Sequence, residues 1–318
     1  LDKQIEALGQ ADTLSKFMFE GYPVRGELVE LSDTWRQVQA RHQYPKAVST
    51  LLGEMLAAAA LLSANLKFNG SIVMQIHGDG PVKLLVVECD AELRMRATAK
   101  MRAGAVLPKE ASLTELVNAT GQGRFVITLD PKDKLPGQQP YQGIVPLDGE
   151  SVAAVIENYM MRSEQLDTRL WLAANEGVAR GLLLQKLPKE GGNAQNAQNE
   201  LEAWNHIVTL GATVKTEELL TTDIDTMMRR LFWEETIRLF DPVQPTFHCG
   251  CSREKVGNML RLLGRDEVQA ALSDLGALAI NCDFCGQLYE FDAVDCAQVF
   301  AAAEGSDSAT APPSQTRH

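Results

Sequence analysis

Phe247-His248-Cys249-Gly250-Cys251, followed after thirty residues by Cys282-Asp283-Phe284-Cys285-Gly286, is the stretch that organises this chain. Two tight cysteine pairs separated by a loop can deliver four thiolates to one tetrahedral ion. Zinc suits such a set: it takes sulfur at ~2.3 Å, prefers four ligands and has no redox activity of its own. Phe284 and Gly286 fit a knuckle turn around Cys285. Four protein ligands leave no open position for water, so the expected role is structural or regulatory and not hydrolytic. Three other readings compete. Cys282 and Cys285 alone have the spacing of a thioredoxin-like redox pair, but such a pair belongs to a larger βαβ unit, not to ~50 residues with a second cysteine pair. His248 offers a replacement ligand beside Cys249. Unpaired buried cysteines are also ordinary core residues.

Outward from this segment, the distribution of thiols is uneven. One cysteine, Cys89, lies in the first 248 residues, and the other five, ending at Cys296, lie in the next 48. A disulfide framework would spread them through a small secreted chain. No basic-then-apolar leader opens the sequence, so a cytosolic, reducing compartment is expected. Cys89 ends a strand-like run and reads as a small core residue. Cys296 reads as core, with a spare thiol as the alternative.

A module of about fifty residues is marginal on core burial alone. Structural zinc contributes on the order of 10–16 kcal/mol, against a domain stability of roughly 5–15 kcal/mol. Loss of the ion should therefore unfold the segment. Thiolates are also the form that oxidants attack, so the pattern permits an oxidation-triggered switch without proving one.

The 318 residues fit about two domains. Residues 12–190 alternate helix and strand signals, which predicts an α+β domain of mixed sheet and helix. Helices are expected over 33–41, 47–66 and 151–162, and a short one after the capping box Ser112-Leu113-Thr114-Glu115. Strands are expected over 71–77 and 82–87 across the Gly78-Asp79-Gly80-Pro81 turn, and over 94–100, 125–129, 141–147, 170–173 and 182–187. Residues 1–11 read as a polar extension. Glu190 to Asn199 is polar and reads as a linker. Residues 191–247 then form a helical linker region, with helices over 203–210, 217–220 and 224–235 and a short strand over 236–240. A four-cysteine zinc module occupies 248–300, and 301–318 is expected to be a disordered tail.

Net charge is −12, from 30 basic and 42 acidic residues. The segment 248–318 carries 5 basic and 10 acidic residues, which argues against nucleic acid as partner. No run of ~18 apolar residues predicts a membrane span. No Gly-x-x-x-x-Gly-Lys-[Ser/Thr] loop predicts ATP binding, and Gly78-x-Gly80 lacks the third glycine of a dinucleotide site. An enzyme is not expected.

Several further stretches, in order, make the chain resemble the 33-kilodalton heat-shock protein family of redox-regulated holdase chaperones. They are Val24-Arg25-Gly26-Glu27-Leu28-Val29, Leu66-Lys67-Phe68-Asn69-Gly70, Gly78-Asp79-Gly80-Pro81, Tyr141-Gln142-Gly143, Arg162-Ser163-Glu164-Gln165-Leu166 and Lys215-Thr216-Glu217-Glu218-Leu219-Leu220. With the four cysteines they span roughly residues 14–296. The resemblance implies a mechanism. One zinc per chain is held by Cys249, Cys251, Cys282 and Cys285 in the reduced, inactive state. Oxidants form Cys249–Cys251 and Cys282–Cys285 disulfides, zinc leaves, the module unfolds and the linker loosens. The exposed surface binds unfolding client proteins without ATP, often as a homodimer. Trp204, Leu219, Leu220, Met227, Met228, Leu231, Phe232 and Trp233 are the client-binding candidates, on segments otherwise rich in charge. The bland alternative is amphipathic helices packed on the main domain. The alternative function is a zinc-ribbon protein-interaction module with purely structural zinc.

Overall fold

The computed structural model describes residues 12–65, 69–108, 111–134, 139–188 and 194–307. They fall into two compact units, one ending at His248 and one beginning at Cys249. The expected extension 1–11, the stretch Leu66-Lys67-Phe68 and residues 308–318 of the expected tail lie outside the described residues.

In the first unit the chain runs β1 (Thr13–Phe19), β2 (Val24–Leu31), α1 (Asp33–Gln39), α2 (Lys46–Ser63), β3 (Gly70–His77), β4 (Val82–Asp90), β5 (Arg94–Met101), α3 (Leu113–Val117), β6 (Arg124–Pro131) and β7 (Tyr141–Pro146). It continues through α4 (Val152–Tyr159), β8 (Thr168–Ala174), β9 (Ala179–Lys186), α5 (Ala194–Gly211), α6 (Thr216–Thr221), α7 (Ile224–Phe232), β10 (Ile237–Leu239) and β11 (Thr246–Phe247). The strands make a five-stranded sheet, β10-β1-β2-β9-β8, and a six-stranded sheet, β11-β5-β4-β3-β6-β7. The α+β expectation holds.

Helix α2 packs against both sheets. Its sequence explains this: Leu51, Leu52, Met55, Leu56, Ala57, Ala58, Ala59, Ala60 and Leu61 leave no polar stripe, and all are buried. It is the one helix among the described residues long and apolar enough to cross a membrane, and most of it is buried in the fold.

The five-stranded sheet is covered on both faces. Leu14, Val29, Leu31 and Leu183 point into the core around α2. Their strand neighbours Phe17, Phe19, Val24, Leu28, Leu182 and Leu184 point the other way, onto α5, α6 and α7. The register places Phe17 opposite Gly26, where a Cβ would stand 2.1 Å from the Phe17 ring. Glycine at 26 is therefore required by the ring lying over it. β1 and β2 are not among the strands expected from the sequence, because double coverage erases the alternation that marks a half-buried strand.

Three boundaries need correction. Of the polar run expected as linker over 190–199, residues 190–193 lie outside the described residues and the rest is helical from Ala194, because its Ala and Gln residues are compatible with a helix that tertiary packing then fixes. The helix expected to reach Glu235 stops at Phe232, with Trp233 as its cap. The expected tail is helical as far as Asp307.

The second unit contains α8 (Arg253–Leu263), α9 (Arg265–Leu275), the hairpin β12 (Leu278–Asn281) and β13 (Leu288–Phe291), and α10 (Ala293–Asp307). Its core is small: Leu260, Val268, Leu278, Phe291 and Cys296. Asp292 and Asp295 cap each other's main-chain N–H at the start of α10, at 3.2 and 2.8 Å.

Candidate metal centre

Cys249 and Cys251 lie immediately before α8, whose first turn is capped by the Ser252 hydroxyl accepting from the Lys255 N–H at 3.2 Å. Lys255 Nζ also donates to the Gly250 carbonyl at 2.6 Å, which ties down the loop carrying both thiols. Cys282 and Cys285 occupy the tip of the β12–β13 hairpin. There the Cys282 N–H donates to the Gln287 carbonyl at 2.9 Å, and the Gly286 N–H donates to the Cys282 carbonyl at 2.8 Å. Gly286 has φ +72°, a conformation a side chain would strain, so the knuckle turn read from the sequence needs its glycine.

All four sulfurs lie within 4.8 Å of one another. The short approaches cross between the pairs: Cys249 to Cys282 at 3.7 Å and Cys251 to Cys285 at 3.4 Å. A tetrahedron with ~2.3 Å bonds has sulfur–sulfur edges of about 3.8 Å, so the set has the size of a four-thiolate metal site. None of the six cysteines forms a disulfide. Burial pushes the Cys285 thiol up to about 12, helped by the sulfurs of Cys251, Cys249 and Cys282. Burial likewise raises Cys282, with Cys249 adding to it. Cys282 and Cys285 thus resist ionising without a cation, and a divalent ion supplies the missing charge. The donor set therefore fits a metal, and the chemistry favours a thiophilic one.

His248 is not part of the four-thiol cluster; its main-chain N–H donates to the Met95 carbonyl at 2.9 Å. Cys296 is in the small core of its unit, and Cys89 is fully buried on β4 with its thiol pushed up to about 12 by burial.

One contact was not foreseen from the sequence. Tyr289 Oη donates to Cys251 Sγ at 3.1 Å. The partner thiol, then burial, push the phenol up to about 12, which keeps it a donor. Cross-strand pairing of Tyr289 with Ile280 puts it on β13, beside the knuckle. No spacing rule singles out a tyrosine four residues after Cys285.

The client-binding candidates sit elsewhere, in the first unit. Trp204, Leu219, Met227, Leu231 and Phe232 are buried against the five-stranded sheet, and Leu220 and Met228 are partly buried at its margin. Phe232 rests on Phe19 and Phe17, with ring centroids 5.1 and 6.0 Å apart. Only Trp233 of the eight is exposed, at 76%. The bland alternative thus describes their packing in this state.

The family model described as "Hsp33 protein" matches residues 12–292. The chain is 47% identical over 291 residues to the 33 kDa chaperonin of Methylobacillus flagellatus, covering 91% of this chain and 94% of that protein. It is 48% identical over 290 residues to the 33 kDa chaperonin of Chromobacterium violaceum, with the same coverage of each chain. Against the 33 kDa chaperonin of Pseudomonas aeruginosa strain LESB58 the identity is 43% over 312 residues, 98% of this chain and 100% of that one. The crystal structure of the 33 kDa chaperonin of Thermotoga maritima superposes with a TM-score of 0.75 at 21% identity, covering 92% of this chain and 99% of that one. That likeness bears on the fold.

Proposed function

The chain belongs to the Hsp33 family, and from that premise we propose that it is a non-enzymatic chaperone whose client-holding surface is uncovered when its four clustered thiolates are oxidised. The observation that carries this reading is the cluster itself: four sulfurs from two distant stretches of chain, within 4.8 Å of one another and not joined by disulfides.

Cys249, Cys251, Cys282 and Cys285 would hold one Zn2+ per chain in the reduced state. Bound there, zinc would neutralise the thiolates and cross-link the loop before α8 to the β12–β13 hairpin. A peroxide oxidises Cys249 with Cys251 and Cys282 with Cys285. Each pair of thiolates consumes one hydrogen peroxide and two protons, forms one S–S bond and releases two waters. With its ligands gone, the module is left with five buried core residues, too few to hold ~50 residues folded.

Chain connectivity transmits the change. β11 has two residues, and Cys249 follows it after only His248. Once the module unfolds, β11 and then β10, a three-residue edge strand, lose their anchor. The faces of α5, α6 and α7 that carry Trp204, Leu219, Leu220, Met227, Met228, Leu231 and Phe232 then lift from the sheet and, with the already exposed Trp233, meet clients. Adaptable methionines suit a promiscuous surface. Residues 191–247 thus act as a metastable linker between the core domain 12–190 and the switch module 248–300. Holding of this kind requires no ATP. Dimerisation of the oxidised form, a cytoplasmic location and the exclusion of nucleic acid and membrane complete the proposal.

A second reading, a partner-binding module with purely structural zinc, is favoured by one feature. Leu262, Leu263 and Leu275 of the second unit are 90%, 56% and 71% exposed. Metal and thiol counting on the full chain separates the two. The switch predicts one zinc and four protected thiols when reduced, and zinc loss, two disulfides and a loss of helix signal after peroxide. Retention of zinc and helix after peroxide would favour the second reading.

A further inference from the structure

The sulfurs of the knuckle and of the preceding loop are held in different ways. The main-chain N–H groups of Phe284 and Cys285 face the Cys282 sulfur, and that of Gln287 faces Cys285. Those donors belong to the turn and persist with any side chains. Cys251 instead receives a side-chain donor, Tyr289 Oη at 3.1 Å. The hairpin register fixes this residue, since Tyr289 pairs with Ile280 two positions before Cys282.

We propose that Tyr289 is a positioning residue of the redox centre: its phenol O–H holds the Cys251 sulfur within the four-thiolate set and slows electrophilic attack on it. This rests on the four-thiolate reading above. A thiolate reacts through a sulfur lone pair. In a metal site one lone pair of Cys251 serves the ion, and the phenol O–H occupies a second. A hydrogen bond to the charged form stabilises it and lowers its nucleophilicity. The same bond fixes where the sulfur points, as outer partners of metal ligands do. Tyr289 thereby helps set how much oxidant the centre withstands before it opens.

The test uses the full-length chain, loaded with Co2+ in place of zinc, and compares wild type with Tyr289→Phe. The ring and the strand pairing stay, and the O–H goes. Alkylation of Cys251 by iodoacetamide, followed by peptide mass spectrometry, should accelerate ~tenfold, at the low end of effects for outer partners of metal ligands. Alkylation of Cys285 should change less than twofold. The thiolate-to-cobalt charge-transfer band should move to lower energy. Replacing Tyr289 with 3-fluorotyrosine, a stronger donor of nearly the same shape, should move both readouts the opposite way, which guards against a folding defect in the phenylalanine variant. Equal Cys251 rates and equal bands in all three proteins would overturn the role of Tyr289. A wild-type chain that takes up no cobalt on its four thiols would instead overturn the four-thiolate reading, and this proposal with it.

Discussion

Arg180 on β9 and Glu30 on β2, directly paired across the two strands, form an ion pair of 2.6 Å that is shielded from solvent. The same guanidinium donates to the main-chain carbonyls of Leu219, at 3.0 Å, and Thr222. Both carbonyls lie at the C-terminal end of α6, where a helix has unsatisfied acceptors and favours a cation. One side chain therefore fastens the linker helices to the sheet that they cover.

Arg180→Ala should release that fastening without touching the thiols. Glu30 is only half-buried, so losing its partner and the two charge-assisted carbonyl bonds should cost about 1.5–3 kcal/mol. Amide exchange over 216–232 should accelerate in the reduced protein while zinc content stays unchanged. Unaltered protection of that segment would show that the ion pair does not hold it.

Phe232 gives the apolar counterpart. It is 2% exposed and wedged against Phe17 and Phe19. Phe232→Ala should cost about 3–5 kcal/mol, read as a lower urea midpoint of the first unit. Trp233→Ala, at a neighbouring exposed position, should shift stability by less than about 0.5 kcal/mol. It should nevertheless weaken holding of clients by the oxidised protein. A reversed order of the two urea midpoints would contradict the burial argument.

Two glutamates make stability depend on pH. Burial pushes Glu27 up to about 7, against the opposing pull of Asn65, Arg25 and Lys16, and burial pushes Glu54 up to about 7. Both carboxyls are raised above an unfolded value of about 4.3. The folded state then binds more protons between these limits, so this contribution is complete below pH ~4.3 and is lost as pH rises through 7. Each group supplies a slope of roughly 1.4 kcal/mol per pH unit inside that window. Urea midpoints measured from pH 5 to 8 should therefore show a downward component that Glu54→Gln halves. An identical profile in the variant would exclude Glu54 as a source.

Chelation should unfold the second unit and, through β11, loosen the linker helices, while the core strands stay folded. With thiols kept reduced, zinc removal should expose 249–307 to protease while the strands of residues 12–186 keep their protection. Equal protease resistance of 249–307 with and without metal would mean that Leu260, Val268, Leu278, Phe291 and Cys296 suffice as a core.

How much of this the sequence disclosed depended on whether the signal was local. The cysteine quartet was legible because ligand spacing is set by one turn and one loop. The Ser112 capping box was legible for the same reason, and its reciprocal bonds are present, with the Ser112 N–H donating to Glu115 at 2.8 Å. The β3–β4 hairpin follows from its alternation and its turn. β1 and β2 escaped because Phe17 and Val29 on opposite faces are both buried, and because Arg25 and Glu27 interrupt the apolar run. Helices α8 and α9 escaped within the interval between the cysteine pairs, although Ser252 before Arg253 is an N-cap signal that could have marked the first. Tyr289 and Arg180 escaped for a deeper reason. Their roles depend on partners 38 and at least 39 residues away in sequence, which no local pattern encodes.

The most direct test of the central claim is light scattering from a chemically unfolded client diluted into buffer with the full chain. One sample is reduced and zinc-loaded, the other peroxide-oxidised and zinc-free. The account predicts that only the oxidised sample suppresses aggregation. Equal suppression by both samples, or zinc still held by four thiolates after peroxide, would contradict it.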